Sequence, residues 1–312
     1  MINSWTPDLF GDPWAARCLE TPDGFATLVR YDGAVSDDSA QRAILYVHGF
    51  LDYFFQAYLG PLAAAAGYRW YGLDLPGCGR SQVASLSESQ VKDLRAYRSA
   101  LDQAAHVIRD EDAADTLAVI GHSTGGLVVP LWVNARPGVA DALVLNSPWF
   151  DLPVPRGLQV TLPTVIEAIA AVAPQLPLSK LPPYYARQLH VATGGEWEFN
   201  PDWKPFEETA VTAGFLRAIT RGQRTLRRGL TVTCPILVCT SATSVCGMQP
   251  SGSLAGADAV LVVDDMWRLS DNLGADVTVR MIAGGIHDLA LSAQPARDTY
   301  LATVFDWLAD RL

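Results

Sequence analysis

The sequence predicts an α/β fold, a mostly parallel sheet flanked by helices, with an inserted cap or lid segment. Three observations predict it. Short apolar runs alternate with stretches of helical spacing up to residue 147 and resume after 231, the pattern of strands buried on both faces. One run, 116–120, ends in Gly121-His122-Ser123-Thr124-Gly125-Gly126, and an apolar helix-like pattern resumes at Leu127. Between them, 148–230 changes texture, first proline-rich and Leu/Val/Ala-rich, then aromatic. The division is therefore a core of 1–147 and 231–312 and a cap or lid of 148–230.

The elements follow in order. Residues 1–22 read as an irregular lead-in with several turn residues, 25–31 as an alternating strand and 32–39 as a polar turn. AILYV at 43–47 is a short buried strand that ends in His48-Gly49-Phe50-Leu51-Asp52. YRWYGLDL at 68–75 is another, followed by a loop marked by Gly77 and Gly79. That lone G-x-G is too weak for a nucleotide site. Helical spacing covers 87–110 with Ser87 as N-cap, then 125–134, and a strand follows at 142–146. Within the insert, 212–228 is helical and carries Arg217, Arg221, Arg224 and Arg228 on one face, read as solvated rather than as a membrane-docking stripe. PILVCT at 235–240 resumes the sheet, 277–282 is the last strand, and 295–311 is the closing helix.

Composition bounds the function. At 312 residues the chain can bury one large core with an insert, and 49% hydrophobic residues make it a globule. A net charge of −10 excludes nucleic acid or an anionic membrane as the main partner. Cys18, Cys78, Cys234, Cys239 and Cys246 are scattered, without a C-x-x-C, so neither a disulfide framework nor a metal site is expected, and a reducing cytoplasm fits. The first residues carry no basic region and no apolar run, so no signal peptide is expected. No apolar stretch reaches transmembrane length, which leaves peripheral membrane contact at most.

The chemistry concentrates at Ser123. A turn this tight between strand and helix crowds backbone against positions two before and two after its apex, and Gly121 and Gly125 stand there. A serine hydroxyl needs a base, and the base needs a carboxylate. His287 follows the last strand in a glycine-rich turn and is the base. Asp258, Asp265 and Asp264 are the candidate acids, with Asp258 favoured because Asp264 and Asp265 could cap the helix-like run after them. Asp288 reads as a local turn residue. An oxyanion would be held by the N–H groups of Thr124, after the nucleophile, and Phe50, in the HG loop, with Leu51 as the alternative. His48 reads as a structural hydrogen-bonder. Leu51 and Trp149 are the candidate substrate-binding side chains, and the insert's aromatics could line a pocket for an apolar acyl group.

With GHSTGG, HGF and GGIHD in place, the chain resembles the α/β-hydrolase superfamily, and within it the lysophospholipase and monoacylglycerol-lipase-like branch, also described as the serine aminopeptidase S33 type. HGFLDYFFQ, HSTGGL, GGEWEFNPDWKP and ADAVLVVDD carry the likeness over nearly the whole chain. The resemblance implies a cofactor-free serine hydrolase of carboxylic esters acting through Ser123, Asp258 and His287 on a small-molecule ester. It differs in its acid loop, where Gly256-Ala257-Asp258 follows a much longer loop than the family's short turn. Two rivals stand beside it: an aminopeptidase or amidase gripping a substrate amine with Glu196 or Glu198, and a non-catalytic ligand-binding sensor on a hydrolase scaffold.

Overall fold

Alternate side chains of each central strand must find apolar partners on opposite faces, and this sequence supplies helices for both. The structure, a computed structural model, describes residues 4–22, 24–35, 41–82, 91–181, 183–245 and 256–312. Strands β1 (Thr6–Pro7), β2 (Trp14–Thr21), β3 (Gly24–Tyr31) and β4 (Arg42–Val47) come first. Helix α1 (Leu59–Ala65), β5 (Arg69–Asp74), α2 (Arg98–His106), β6 (Thr116–His122), α3 (Gly125–Asn134) and β7 (Ala142–Asn146) follow. The segment between β7 and the next sheet strand, called the insert below, holds α4 (Arg156–Val172), β8 (Pro177–Leu181), α5 (Tyr184–Leu189), β9 (Thr209–Thr212) and α6 (Ala213–Arg227). Strand β10 (Ile236–Ser241), α7 (Val263–Ser270), β11 (Val277–Ile282) and α8 (Ala296–Ala309) complete the described chain.

Among the described residues, one sheet runs β1-β2-β3-β5-β4-β6-β7-β10-β11. From β5 to β11 all neighbours are parallel, and β1, β2 and β3 join antiparallel at one edge. Registers such as Ile44↔Ala118, Ile120↔Val144 and Leu145↔Val238 bring the carboxyl ends of β4, β6, β7 and β10 to one edge. The period-2 rule divides the side chains cleanly. Leu45, Val119, Leu145 and Val238 pack with α2, α3 and α7, whereas Ile44, Ala118, Val144 and Leu237 pack with α1 and α8.

The amino-terminal reading needs correction. Residues 14–21 are not irregular: β2 pairs with β3 along its whole length, from Trp14↔Tyr31 to Thr21↔Gly24. Polar side chains at inward positions hid the strand, since Arg17 is buried and bonded to Glu111. The helix read at 87–110 is shorter. Ser87 lies outside the described residues, Asp93 caps a 3-10 turn at Leu94–Tyr97, and α2 runs on into a single π-turn at Val107–Glu111. The insert also contains an antiparallel pair, β8 with β9, that the sequence reading did not include. The arginine face of α6 is only partly solvated: Arg221 pairs with Glu167 and Arg217 donates to the Ala170 carbonyl, both on α4. The long helix α6 lies tight on the core, where a Cβ at Gly222 would sit 2.9 Å from Leu94 and 3.1 Å from Leu131. Among the described residues, no helix is long and apolar enough to cross a membrane.

The first residues are pinned by a buried ion cluster. Arg80 Nε meets Asp8 at 2.7 Å and its Nη1 meets Asp74 at 3.0 Å, and the same Nη1 donates to the Phe54 carbonyl. Removing the cation strands two buried carboxylates. Arg80→Ala should therefore lower unfolding stability by about 3–5 kcal/mol in a urea melt. A change under about 1 kcal/mol would show the cluster to be dispensable.

Candidate active site

The site grows from the turn between β6 and α3. Ser123 is held at φ 53°, a conformation that costs a non-glycine residue energy and persists only where its surroundings enforce it. A Cβ at Gly121 would lie 2.6 Å from the Gly125 carbonyl oxygen, and one at Gly125 would lie 2.4 Å from that of Val47. Both positions therefore need glycine for close backbone approach. The Ser123 N–H donates to the Asn146 carbonyl at 3.0 Å, and its own carbonyl accepts from Trp149 N at 2.9 Å, so the apex is tied to β7 and to the root of the insert.

Three strand ends bring the partners together. Ser123 Oγ lies 3.0 Å from His287 Nε2, and His287 Nδ1 lies 2.9 Å from Asp258 Oδ2. With the Nδ1 proton facing the carboxylate, Nε2 is left to accept from the serine hydroxyl. Asp258 is fully buried, and its Oδ1 accepts from the N–H groups of Val260 and Leu261, both at 2.8 Å. The long acid loop returns to the sheet edge through Asp258 N to the Thr243 carbonyl and Val245 N to the Asp258 carbonyl. The His287 turn is fastened by Ser241 Oγ donating to the Gly285 carbonyl and by Ile286 N donating to Ser292 Oγ.

The other candidate acids go elsewhere. Asp264 and Asp265 occupy the first turn of α7, which begins at Val263 rather than at Met266. Asp265 accepts from Arg268 and from Gln159 of α4, each at 2.7 Å, and Arg268 also reaches Asp151 at 3.1 Å. These contacts link the insert to the core and are turned away from His287. His48 has the structural role read from the sequence: its Nε2 accepts from Leu75 N at 3.0 Å while Nδ1 faces the Gly49 carbonyl at 2.7 Å. Thr124 directly precedes α3, where the first N–H groups have no intrahelical partner. Phe50 and Leu51 sit in the HG loop beside the serine. Leu51 is at φ 51°, and the Phe50 ring stacks on Phe215 of α6 at 4.3 Å.

A cavity of about 390 Å³ opens over Ser123. Gly49, Phe50, Leu51, His122 and His287 form its floor, and the insert supplies Trp149, Leu152, Val154, Ile166, Tyr185 and Leu216. Leu51 and Trp149 thus line the space over the serine. Sequence reasoning missed the polar lining. Lys204 and Asp52 are buried in the cavity wall and pair at 2.8 Å, and the ammonium lies 5.6 Å from the Phe55 ring centroid. It also missed Asn146 and Gln56, whose side chains meet Asp288 behind the histidine. Each is an isolated polar residue in an apolar stretch, which is the one signal that pointed to them. Asp288 does cap a local turn, at Leu289–Leu291, but its contacts reach well beyond it. Burial pushes the His122 imidazole below its ordinary range and the Tyr185 phenol well above its own, so both stay neutral beside His287. Glu196 and Glu198 are exposed and do not line the cavity, and Glu196 faces Arg297 at 3.8 Å. Among the described residues, no group of three His, Cys, Asp or Glu side chains could hold a metal ion, and Cys18, Cys78, Cys234 and Cys239 are unbridged. Cys246 lies outside them.

Comparison with known proteins identifies the family and the fold. The family described as "Serine aminopeptidase, S33" matches residues 38–293. Among solved structures, the chain is similar to a monoacylglycerol lipase of Paleococcus ferrophilus, at 18% identity over 86% of this chain and 95% of that one, with a TM-score of 0.63. It is similar to a soluble variant of the monoglyceride lipase of Saccharomyces cerevisiae in complex with a substrate analog, at 14% identity over 95% and 96%, TM-score 0.66. A thermostable carboxyl esterase of Bacillus coagulans in complex with glycerol matches at 13% identity over 96% and 98%, TM-score 0.67. At these identities the structural likeness speaks for the fold.

The close approach at the turn has a measurable consequence. Gly125→Ala should destabilise the fold by about 2–4 kcal/mol, because backbone rather than a flexible side chain blocks the new methyl group. Gly157→Ala, in α4 with nothing within 4 Å of the new Cβ, should leave stability unchanged or raise it by about 0.5 kcal/mol. Urea melts of the two variants side by side measure the contrast, and equal effects would contradict it.

Proposed function

The chain belongs to the serine aminopeptidase S33 family of the α/β-hydrolase superfamily, and from that premise we propose that it hydrolyses carboxylic esters through an acyl-enzyme on Ser123. The observation that carries this reading is the unbroken relay from Ser123 Oγ through His287 to the buried Asp258 carboxylate, set in the floor of a mainly apolar cavity. His287 Nε2 takes the hydroxyl proton as Ser123 Oγ attacks the ester carbonyl. The oxyanion is held by the N–H groups of Phe50 and Thr124. His287 then gives the proton to the leaving alkoxide, and the alcohol departs. Water, deprotonated by the same nitrogen, attacks the acyl-serine, and the acid leaves with Ser123 restored. No metal or organic cofactor takes part. Residues 148–230 act as the cap, placing an apolar acyl group among Leu152, Val154, Ile166 and Leu216, with Leu51 and Trp149 beside the reacting carbonyl.

The support for an ester over a peptide amine is the position of the carboxylates. Glu196 and Glu198 lie outside the cavity, Asp52 within it is already paired with Lys204, and Glu207, the other acidic residue in the lining, is solvent-exposed. A sensor with no turnover has less support, because a sensor has no need of the serine-to-carboxylate relay.

A p-nitrophenyl ester series from acetate to dodecanoate, run beside aminoacyl p-nitroanilides, tests the reading. Esters should turn over and anilides should not. Ser123→Ala and Asp258→Asn should each lower kcat by about 10³-fold or more, whereas Asp265→Asn should stay within about threefold. Wild-type activity should fall toward acid pH, since the base must be neutral to accept a proton. Anilide turnover that exceeds ester turnover, or full activity in folded Asp258→Asn, would overturn it.

A further inference from the structure

Behind the His287 turn lies a polar cluster that the steps above leave unused. Asp288 follows the base directly, and its side chain is buried. Its Oδ1 accepts from Asn146 Nδ2 at 2.7 Å and from Ala290 N at 3.1 Å, and its Oδ2 accepts from Gln56 Nε2 at 3.1 Å. Its N–H donates to Tyr185 Oη at 2.7 Å. Asn146 joins both halves of the site. Its Oδ1 accepts from Leu289 N at 3.2 Å, next to the base, while its backbone carbonyl accepts from Ser123 N and faces His122 Nδ1 at 3.1 Å. One residue at the end of β7 thus holds the nucleophile by its backbone and the turn carrying the base by its side chain.

The contacts suit an ionised carboxylate, which only accepts. Among the described residues no cation pairs with Asp288. Other groups face the base from every side. Asp258 stands on the acid loop, and the His122 ring lies on the elbow at 4.9 Å between centroids. Tyr185 stands on the insert at 5.7 Å, and the Asp52–Lys204 pair lies by the HG loop. Tyr46 and Tyr58 flank the cluster through Gln56 Nε2 and the Ala290 carbonyl. The histidine and the tyrosines are neutral and the Lys204 pair balances itself, so Asp258 and Asp288 are the net charges beside the imidazole. In a buried site such a charge acts with little screening.

We propose that Asp288, oriented by Asn146 and Gln56, is a positioning residue for the hydrolysis: it fixes the His287 turn against the elbow, and its negative charge favours the imidazolium that forms as Ser123 loses its proton. This rests on the ester-hydrolase reading. Nothing is consumed, and the proton still moves between Ser123 Oγ and His287 Nε2.

The test is a pH profile of kcat and kcat/KM with p-nitrophenyl butyrate between pH 5 and 9 on wild type, Asp288→Asn and Asn146→Ala, each checked for folding by near-UV circular dichroism. Loss of the negative charge makes the base easier to deprotonate, so the acid limb of kcat/KM in Asp288→Asn should move toward lower pH by about one pH unit. Its kcat should fall by about tenfold with KM within about twofold, the mark of an interaction made in the transition state. Asn146→Ala keeps the charge and loosens its holder, so kcat should fall by about tenfold with the acid limb in place. An acid limb that stays put in folded Asp288→Asn, or wild-type kcat in either variant, would overturn the proposal. Should Asp288→Asn not fold, Asp288→Ser is read by the same criteria. Should that also fail, Asn146→Ala decides through kcat alone. Wild-type turnover separates the two levels: a wild type inert toward every ester removes the hydrolase reading and this inference with it, whereas an active wild type with unaffected variants removes only the inference.

Discussion

A serine at positive φ, squeezed between two glycines whose hydrogens touch neighbouring backbone, is the constraint on which the site depends. Its cost is borne by the sheet. Strands β4, β6 and β7 run parallel in fixed register, so the Val47 and Asn146 carbonyls stand where the turn needs them, one as a wall against Gly125 and the other as an acceptor for Ser123 N. A looser sheet would let the turn relax into an ordinary helix start, and the hydroxyl would leave the reach of His287. The same register places the loops after β10 and β11 beside it, so groups far apart in sequence meet within single hydrogen-bond distances.

Around that point the molecule separates apolar from polar surroundings. In front of the serine the insert contributes branched aliphatic side chains and Trp149. Behind the histidine, polar groups are buried and bonded: Asp258 to two backbone N–H groups, and Asp288 to Asn146, Gln56 and Ala290. Buried polar networks are stable only when every member is satisfied. In the proposed reaction the front would take a greasy acyl group by burying it. The back has little room to adjust, which is what a fixed proton path requires.

Much of this was legible in the sequence because it depends on local chemistry. The Gly121 and Gly125 spacing marks the turn, and strand ends 47, 146 and 282 were read directly because apolar runs stop there. His287 stood out as the base in a glycine-rich turn after the last strand. Strand β2 escaped notice because Arg17 occupies an inward position, satisfied by Glu111 from far along the chain. The choice among Asp258, Asp264 and Asp265 could not be closed from spacing, since it turns on how the loop after β10 folds back to pair Asp258 with Thr243 and Val245. Asn146 and Gln56 show in the sequence only as isolated polar residues in apolar stretches: their partners come from the turn after β11, and no local pattern encodes a contact across that separation.

The central claim is that Ser123 is an activated nucleophile. Treating the folded protein with a fluorophosphonate and locating the adduct by peptide mass spectrometry tests it most directly, with His287→Ala labelled in parallel. The account predicts a single adduct on Ser123 in the wild type and labelling slowed by at least about 10²-fold when the base is removed. An unlabelled Ser123 in folded protein, or labelling indifferent to the loss of His287, would contradict it.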